Sequence, residues 1–194
     1  MGNADYVIRV SEAPSAVNAS AWDALLFSQS HPTPFMRHAY LAALHDSGSA
    51  TPATGWRPHF FTLHQGAELA GACVAYLKDH SYGEYVFDWA WASAYEQHGL
   101  PYYPKAVIAV PFTPVPGSRL LAKDAHARAA LTQAVQRWCA DQNISSAHML
   151  FGAEDDLQAT DSAHWMQRHT VQFQWHNLAE GYADFDDFLA RMNQ

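Results

Sequence analysis

The side chains best suited to chemistry lie in one ring-rich stretch, residues 82–91, where two carboxylates stand among aromatic residues. Asp88 is the most informative of them, because a carboxylate between Phe87 and Trp89 loses hydration unless it is paired or used. Desolvation would raise the pKa of this carboxyl group toward the range of a general base. Alternatively, Asp88 makes a structural hydrogen bond. We predict Asp88 as a catalytic candidate and leave that alternative open.

The other residues of the same stretch favour binding. Rings stack on a ligand and carboxylates accept its hydrogen bonds, a mixture suited to holding a peptide or a sugar. Rings at strand spacing are more often part of a core, and that alternative stays open. The predicted binding residues here are Tyr82, Glu84, Tyr85, Trp89 and Trp91.

A second group of candidates follows at Tyr102, Tyr103 and Lys105, which alternate with Pro101 and Pro104. A loop stiffened by two prolines could present two phenols and one cation to an anionic or carbonyl group. A packed connection between elements is the alternative. We predict a catalytic role for Tyr103 and substrate binding for Tyr102 and Lys105.

Histidines supply the remaining acid-base candidates. His148 lies on a buried-looking strand and His176 ends a polar strand face, so either could move protons near neutral pH, although a structural role is the alternative. His176 is the third catalytic candidate. Three further residues complete the predicted substrate-binding set: Thr113, Arg119 and Gln172.

Composition excludes several classes of function. The chain of 194 residues has 11 Lys and Arg against 19 Asp and Glu, a net charge of −8, and no basic cluster, so nucleic acid is not an expected partner. The 12 histidines form neither HExxH nor a Cys/His cluster, so no metal site is predicted. Cys73 and Cys139 are expected to be reduced. With no basic leader and no apolar run long enough for a membrane span, a cytoplasmic location is expected.

Alternating and helical patterns predict the elements that must position these residues. Apolar alternation predicts five strand regions around one antiparallel hairpin with a turn at Gln65-Gly66. Capping residues and helical spacing predict six helices. The predicted strands are 6–10, the hairpin pair 57–64 and 69–77, then 84–91, 105–112, 146–151 and 171–175. The predicted helices open at Ser20, Thr33-Pro34, Ser93 (a capping box with Glu96, closed by Gly99), Asp124, Glu154 and Asp184. This order predicts one mixed α/β (α+β) domain, a central sheet flanked by helices.

Three strings carry a family resemblance: HSYGEYVFDWAWASAYEQHGLPYYPK at residues 80–105, VPFTPVPGSRLL at 110–121 and VQFQWHN at 171–177. They resemble the FemAB-like family of peptidoglycan biosynthesis or recognition acyltransferases. The resemblance implies an acyl-CoA N-acyltransferase (GNAT-like) fold and transfer of an acyl or aminoacyl group to an amine, with acyl-CoA as a possible cofactor. It also implies that residues 1–194 form the N-terminal half of a two-domain protein. The implied partners are a small-molecule or peptide substrate and a second such half, or another copy of this chain.

One expected motif is missing. Acyl-CoA N-acyltransferases bind pyrophosphate on free backbone N–H groups of a Q/R-x-x-G-x-G/A loop, which this sequence lacks. Residues 116–119 come nearest, and either a structural turn or an acyl-CoA site fits them. A non-catalytic recognition or scaffold half, forming one wall of a substrate cleft, is therefore the alternative function.

Overall fold

The structure is a computed structural model that describes residues 6–86, 88–173, 175–176 and 180–192. Single 3-10 turns at Pro14–Ala16, Pro34–Met36 and Pro52–Thr54 connect the longer elements. The strands are β1 (Val7–Ser11), β2 (Arg57–Gln65), β3 (Glu68–Lys78), β4 (Lys105–Ile108), β5 (Leu121–Ala122) and β6 (Ala147–Met149). The helices are α1 (Ala19–Phe27), α2 (His38–Asp46), α3 (Trp89–Gln97), α4 (Ala125–Asp141), α5 (Glu154–Ser162) and α6 (Phe185–Met192).

A mixed six-stranded sheet organises the described residues in the order β1-β2-β3-β4-β6, with β5 also paired to β3. β2 and β3 form the predicted antiparallel hairpin, in which Phe60 lies opposite Val74. β4 pairs antiparallel to β3 and parallel to β6. The mixed α/β class predicted from the sequence is confirmed.

Helices cover both faces of the sheet because consecutive side chains of a strand point to opposite sides. Phe60 and Val74 pack with Trp22 of α1 in one core cluster. Phe61 and Cys73, one residue along each strand, pack in the opposite cluster. The buried stripe of α4 and the partly buried Trp138 belong to that second cluster, so the prediction that the long helix rests on the sheet is confirmed.

Of the predicted helix caps discussed next, two are confirmed and two are wrong. Asp124 caps α4 by accepting from the Ala127 N–H at 2.7 Å, as expected. Asp184 likewise accepts from the Asp187 N–H at 2.9 Å and opens α6. The cap of α1 is Asn18, two residues before the predicted Ser20. The Thr33-Pro34 pair opens only a 3-10 turn, and α2 begins at His38.

The predicted strand 84–91 is wrong within the described residues, which do not include Phe87. Residues 84–86 form no strand, and α3 begins at Trp89, which also makes the Ser93 capping box wrong because Ser93 lies inside the helix. The physical reason is that Ser81 and Glu84 are tied to a buried lysine, and that tie bends the backbone away from strand pairing. Gly99 does end the helix, in the left-handed region that favours glycine (φ 68°).

The predicted strand 171–175 is also wrong within the described residues. Val171–Phe173 and Trp175 adopt no strand conformation, and Phe173 is fully exposed. Gln174 and Asn177 lie outside the described residues. An alternating pattern is compatible with a strand but cannot create one where no sheet edge receives it.

Candidate functional site

Lys105, the first residue of β4, is the centre of a buried polar cluster. Its ammonium donates to Ser81 Oγ at 2.8 Å, to Glu84 Oε2 at 2.8 Å and to Asp88 Oδ2 at 2.5 Å. An ammonium has three N–H donors, and here each has its acceptor. The lysine side chain is 1% exposed, so its contacts with Glu84 and Asp88 are ion pairs shielded from water.

Two tyrosines extend the cluster. Tyr102 donates its hydroxyl to Asp88 Oδ2 at 2.7 Å. Tyr103 shares a hydrogen bond of 2.8 Å with Ser81 Oγ. The structure thus brings together five of the predicted site residues, Glu84, Asp88, Tyr102, Tyr103 and Lys105. Sequence reasoning missed Ser81 because an isolated serine without a motif carries no sign of function.

The two carboxylates of the cluster differ in acidity. Burial acts to raise the pKa of Asp88, but hydrogen bonds from Lys105 and Tyr102 outweigh it and hold the pKa below the ordinary value. The expected raised pKa of Asp88 is therefore wrong. Burial does raise the pKa of Glu84, although Lys105 opposes it. Of the two, Glu84 is the weaker acid.

Each carboxylate keeps one oxygen without a donor. Glu84 Oε1 and Asp88 Oδ1 are buried and have no hydrogen-bond partner among the described residues. Leaving a buried acceptor unpaired costs on the order of 1–3 kcal/mol, more when it is charged. The cluster is therefore not optimised for stability alone, which is a common property of functional sites.

A second buried lysine, Lys78 at the end of β3, was not predicted. Its ammonium lies 3.5 Å from the centre of the Trp56 ring and donates to the Tyr82 carbonyl at 3.2 Å. Burial lowers its pKa to about 8, against the opposing attraction of Glu84. In the sequence, Lys78 is only the last residue of an apolar strand, and nothing there predicts that its ammonium is buried.

A cleft of about 380 Å³ opens next to the cluster. Tyr103 belongs to both, because its hydroxyl bonds Ser81 while the residue lines the cleft. The lining also includes Gly55, Arg57, Lys78, Asp79 and Pro104. A hydrogen-bonded path therefore runs from the buried Lys105 through Ser81 to Tyr103, a residue that lines the cleft.

The predicted binding rings of residues 82–91 are exposed instead of forming core. Tyr82 and Trp89 stand with their ring centres 5.8 Å apart. The exposed fractions are 67% for Tyr82, 60% for Tyr85, 51% for Trp89 and 42% for Trp91. Of the two interpretations left open by the sequence, the packing excludes a core role for these four residues.

In the described part of the chain, the remaining predicted site residues make no hydrogen bond to the cluster. Thr113 pairs with Tyr40 at 3.3 Å, and Gln172 donates to the Pro114 carbonyl at 2.8 Å. His176 is exposed. His148 lies near the cluster, with its ring centre 6.1 Å from that of Tyr102, and burial with the nearby Lys105 lowers its pKa to about 4. His148 is therefore neutral at physiological pH.

Arg119 and its turn have a structural role. The Arg119 guanidinium is buried and donates to the carbonyls of Val115, Gly117 and Leu150. The N–H groups of the turn are also used, since Gly117 donates to a carbonyl at 3.0 Å and Ser118 to another at 3.0 Å. Those of Arg119 and Leu120 donate to the two oxygens of Asp156, at 2.7 Å and 3.0 Å. No N–H of residues 117–120 is free for pyrophosphate, which favours the structural turn.

The described residues hold no group of three or more His, Cys, Asp or Glu side chains that could bind a metal ion. Among the helices in the described part of the chain, none is both long and apolar enough to cross a membrane.

Together, the fold and the site define a mixed α/β protein in which buried charges connect to a surface cleft. A profile of the FemAB-like family, described as peptidoglycan biosynthesis/recognition, matches residues 13–194. The chain belongs to this family. No curated protein and no solved structure matches it.

Proposed function

We propose that this chain acts in the transfer of an acyl or aminoacyl group to an amine of a peptidoglycan precursor, as an N-acyltransferase of GNAT-like fold. Family membership supports the precursor, and the mixed sheet with a long helix across it agrees with that fold. The second acyltransferase-like half, the cytoplasmic location and acyl-CoA as donor belong to the same proposal.

One observation carries the proposal, the hydrogen-bonded path from Lys105 to the cleft. An ammonium can only donate, so Ser81 Oγ must accept from Lys105. The Ser81 hydroxyl proton is then available for the Tyr103 oxygen, 2.8 Å away. In that arrangement the Tyr103 hydroxyl proton would be free to donate to a ligand bound in the cleft, which Tyr103 lines. Chained hydrogen bonds polarise one another, so the charge of Lys105 strengthens Tyr103 as a donor.

In the proposed reaction, the amine nitrogen attacks the acyl carbonyl carbon and the bond to the leaving sulfur or oxygen breaks. The leaving group departs with its bonding electrons and takes up the proton that the amine loses. Tyr103 would stabilise the oxyanion that forms on the carbonyl oxygen. Asp88, with its lowered pKa, is a poor proton acceptor at neutral pH. Its role would be to hold the Lys105 ammonium and the Tyr102 hydroxyl in place.

The second candidate function is recognition without catalysis. It is favoured by the turn at residues 117–120, whose N–H groups are all used and which therefore offers no pyrophosphate site. Under this alternative, the cleft and the exposed rings would bind a precursor whose acyl donor is bound elsewhere.

Mass spectrometry of precursor pentapeptide incubated with the protein tests the proposal, with acetyl-CoA in one arm and aminoacyl-tRNA in the other. We expect acylated product, and about 100-fold less with Tyr103→Phe, since removing one oxyanion donor has an effect of this order. Tyr95→Phe, a nearby ring without a hydroxyl bond to the cluster, is the matched control. Precursor binding without product in either arm would support recognition instead, and absence of both binding and product would reject the two candidates together.

A further inference from the structure

Two exposed rings beside the buried cluster form a surface corner. Tyr82 and Trp89 are 67% and 51% exposed. Their rings meet at 63° with centres 5.8 Å apart, and the His80 ring lies 5.3 Å from that of Tyr82. Large rings gathered on a surface commonly mark a binding site, because exposed apolar area is unfavourable in water.

The backbone that presents these rings is held firmly. Lys78 donates to the Tyr82 carbonyl at 3.2 Å, and the Gly83 carbonyl accepts from the Phe112 N–H at 3.2 Å. Ser81 and Glu84 are bound to Lys105. Buried charges therefore fix a loop whose outward side chains contribute little to the core. Such preorganisation lowers the entropy cost of binding a ligand.

Two aromatic residues of this region adopt an uncommon backbone conformation. Tyr85 and Phe112 both have φ of 58°, in the left-handed region that bulky side chains rarely occupy. Strain of this kind concentrates at ligand sites. The surrounding contacts hold the strain next to the exposed rings.

The polar groups around the corner decide the class of ligand. Lys105 is buried and paired with two carboxylates, and the Lys78 side chain is buried against the Trp56 ring, so neither ammonium is exposed at the corner to an anionic ligand. Residues 81–86 form no strand, so a peptide cannot bind here by extending a sheet. What remains at the surface is two ring faces with the Tyr82 hydroxyl, the His80 ring and the exposed Asp79 carboxylate.

We propose that Tyr82 and Trp89 bind a neutral saccharide, with the apolar face of one pyranose ring against the indole of Trp89. The sugar hydroxyls would donate to Asp79 and exchange hydrogen bonds with Tyr82 and His80. The site stands independently of acyl transfer, since it does not use Tyr103 and shares only Asp79 with the cleft.

Titration of the full chain with N,N′-diacetylchitobiose, followed by NMR of the tryptophan indole N–H groups, tests the proposal. We expect a saturable shift of the Trp89 resonance, assigned by its loss in Trp89→Ala. Trp89→Ala and Tyr82→Ala should each weaken binding at least about tenfold, whereas Phe27→Ala, an equally exposed ring on α1, should not change it.

Thermal melts of each variant establish that it is folded, and either ring variant alone suffices for the comparison. Unchanged affinity in a folded ring variant would overturn the proposal, as would a Trp89 resonance that stays fixed through saturating sugar. A Trp89 shift produced by an uncharged tetra-alanine peptide and not by the disaccharide would show that the corner binds peptides. That result would also reject the saccharide proposal. Because no acyl donor is present, failure here leaves the acyl-transfer proposal untouched.

Discussion

Lys78 of β3 and Lys105 of β4 lie directly opposite each other in the antiparallel pairing, and both side chains are buried. Like charges in this position are destabilising unless other charges balance them. Glu84 and Asp88 supply that balance from the loop and from the residue before α3. Two strands and one loop are therefore joined by four formal charges that sum to zero.

Lys105→Met should destabilise the fold strongly. Removing the ammonium leaves Glu84 and Asp88 as buried charges without their partner, which typically lowers the free energy of unfolding by about 3–5 kcal/mol. Urea denaturation measures the change. Lys123→Met, at an exposed lysine that contacts Gln65, is the matched control and should stay within about 0.5 kcal/mol of wild type. Equal stability of the two variants would rule out a structural role for the Lys105 cluster.

Lys78 should make stability rise with pH in the alkaline range. Its pKa is lowered to about 8 in the folded chain from an ordinary 10.5, so between these values the unfolded chain binds more protons. Charged Lys78 therefore destabilises the fold fully below pH 8, and this penalty disappears as pH rises toward 10.5. Urea denaturation at pH 7 to 10 should show a steeper rise for wild type than for Lys78→Met. Parallel pH profiles of the two proteins would contradict the lowered pKa.

Asp156→Ala should be among the most destabilising changes outside the site. Asp156 accepts from the N–H groups of Arg119, Leu120 and Ala153, at 2.7, 3.0 and 3.0 Å. Its loss leaves three buried donors unpaired, at about 1–3 kcal/mol each. We expect a loss of at least about 3 kcal/mol by chemical denaturation. Asp155→Ala, at a more exposed neighbour that accepts from Ser30, should cost under about 1 kcal/mol, and a similar loss in both variants would argue against this role.

Local sequence patterns correctly predicted the elements whose conformation depends on residues close together in the chain. The β2–β3 hairpin follows from two apolar runs around a glycine turn, and α4 follows from the Asp124 cap with a helical apolar stripe. Both elements owe their form to residues close in sequence, so the prediction needed no knowledge of the rest of the chain.

Prediction from local patterns fails in the ring-rich stretch, residues 82–91. Alternating rings at residues 84–91 predicted a strand, yet the rings face solvent and Trp89 begins a helix. Ion pairs to Lys105, which stands 21 residues after Glu84, decided that conformation. A pattern of residues over a short stretch of sequence cannot show a contact between residues this far apart in the chain. The same long-range hydrogen bonds lowered the pKa of Asp88, which burial alone would have raised.

The sequence by itself determined the mixed α/β class, the hairpin, the long helix and a family resemblance that the family profile confirms. It also named five residues of the cluster around Lys105. Only the tertiary structure decided which oxygens accept from that lysine, that Lys78 and Ser81 complete the group, and that Tyr103 connects it to a cleft. Hydrophobic periodicity fixes which face of an element is buried, whereas the pairing of buried charges depends on distances between elements remote in the chain.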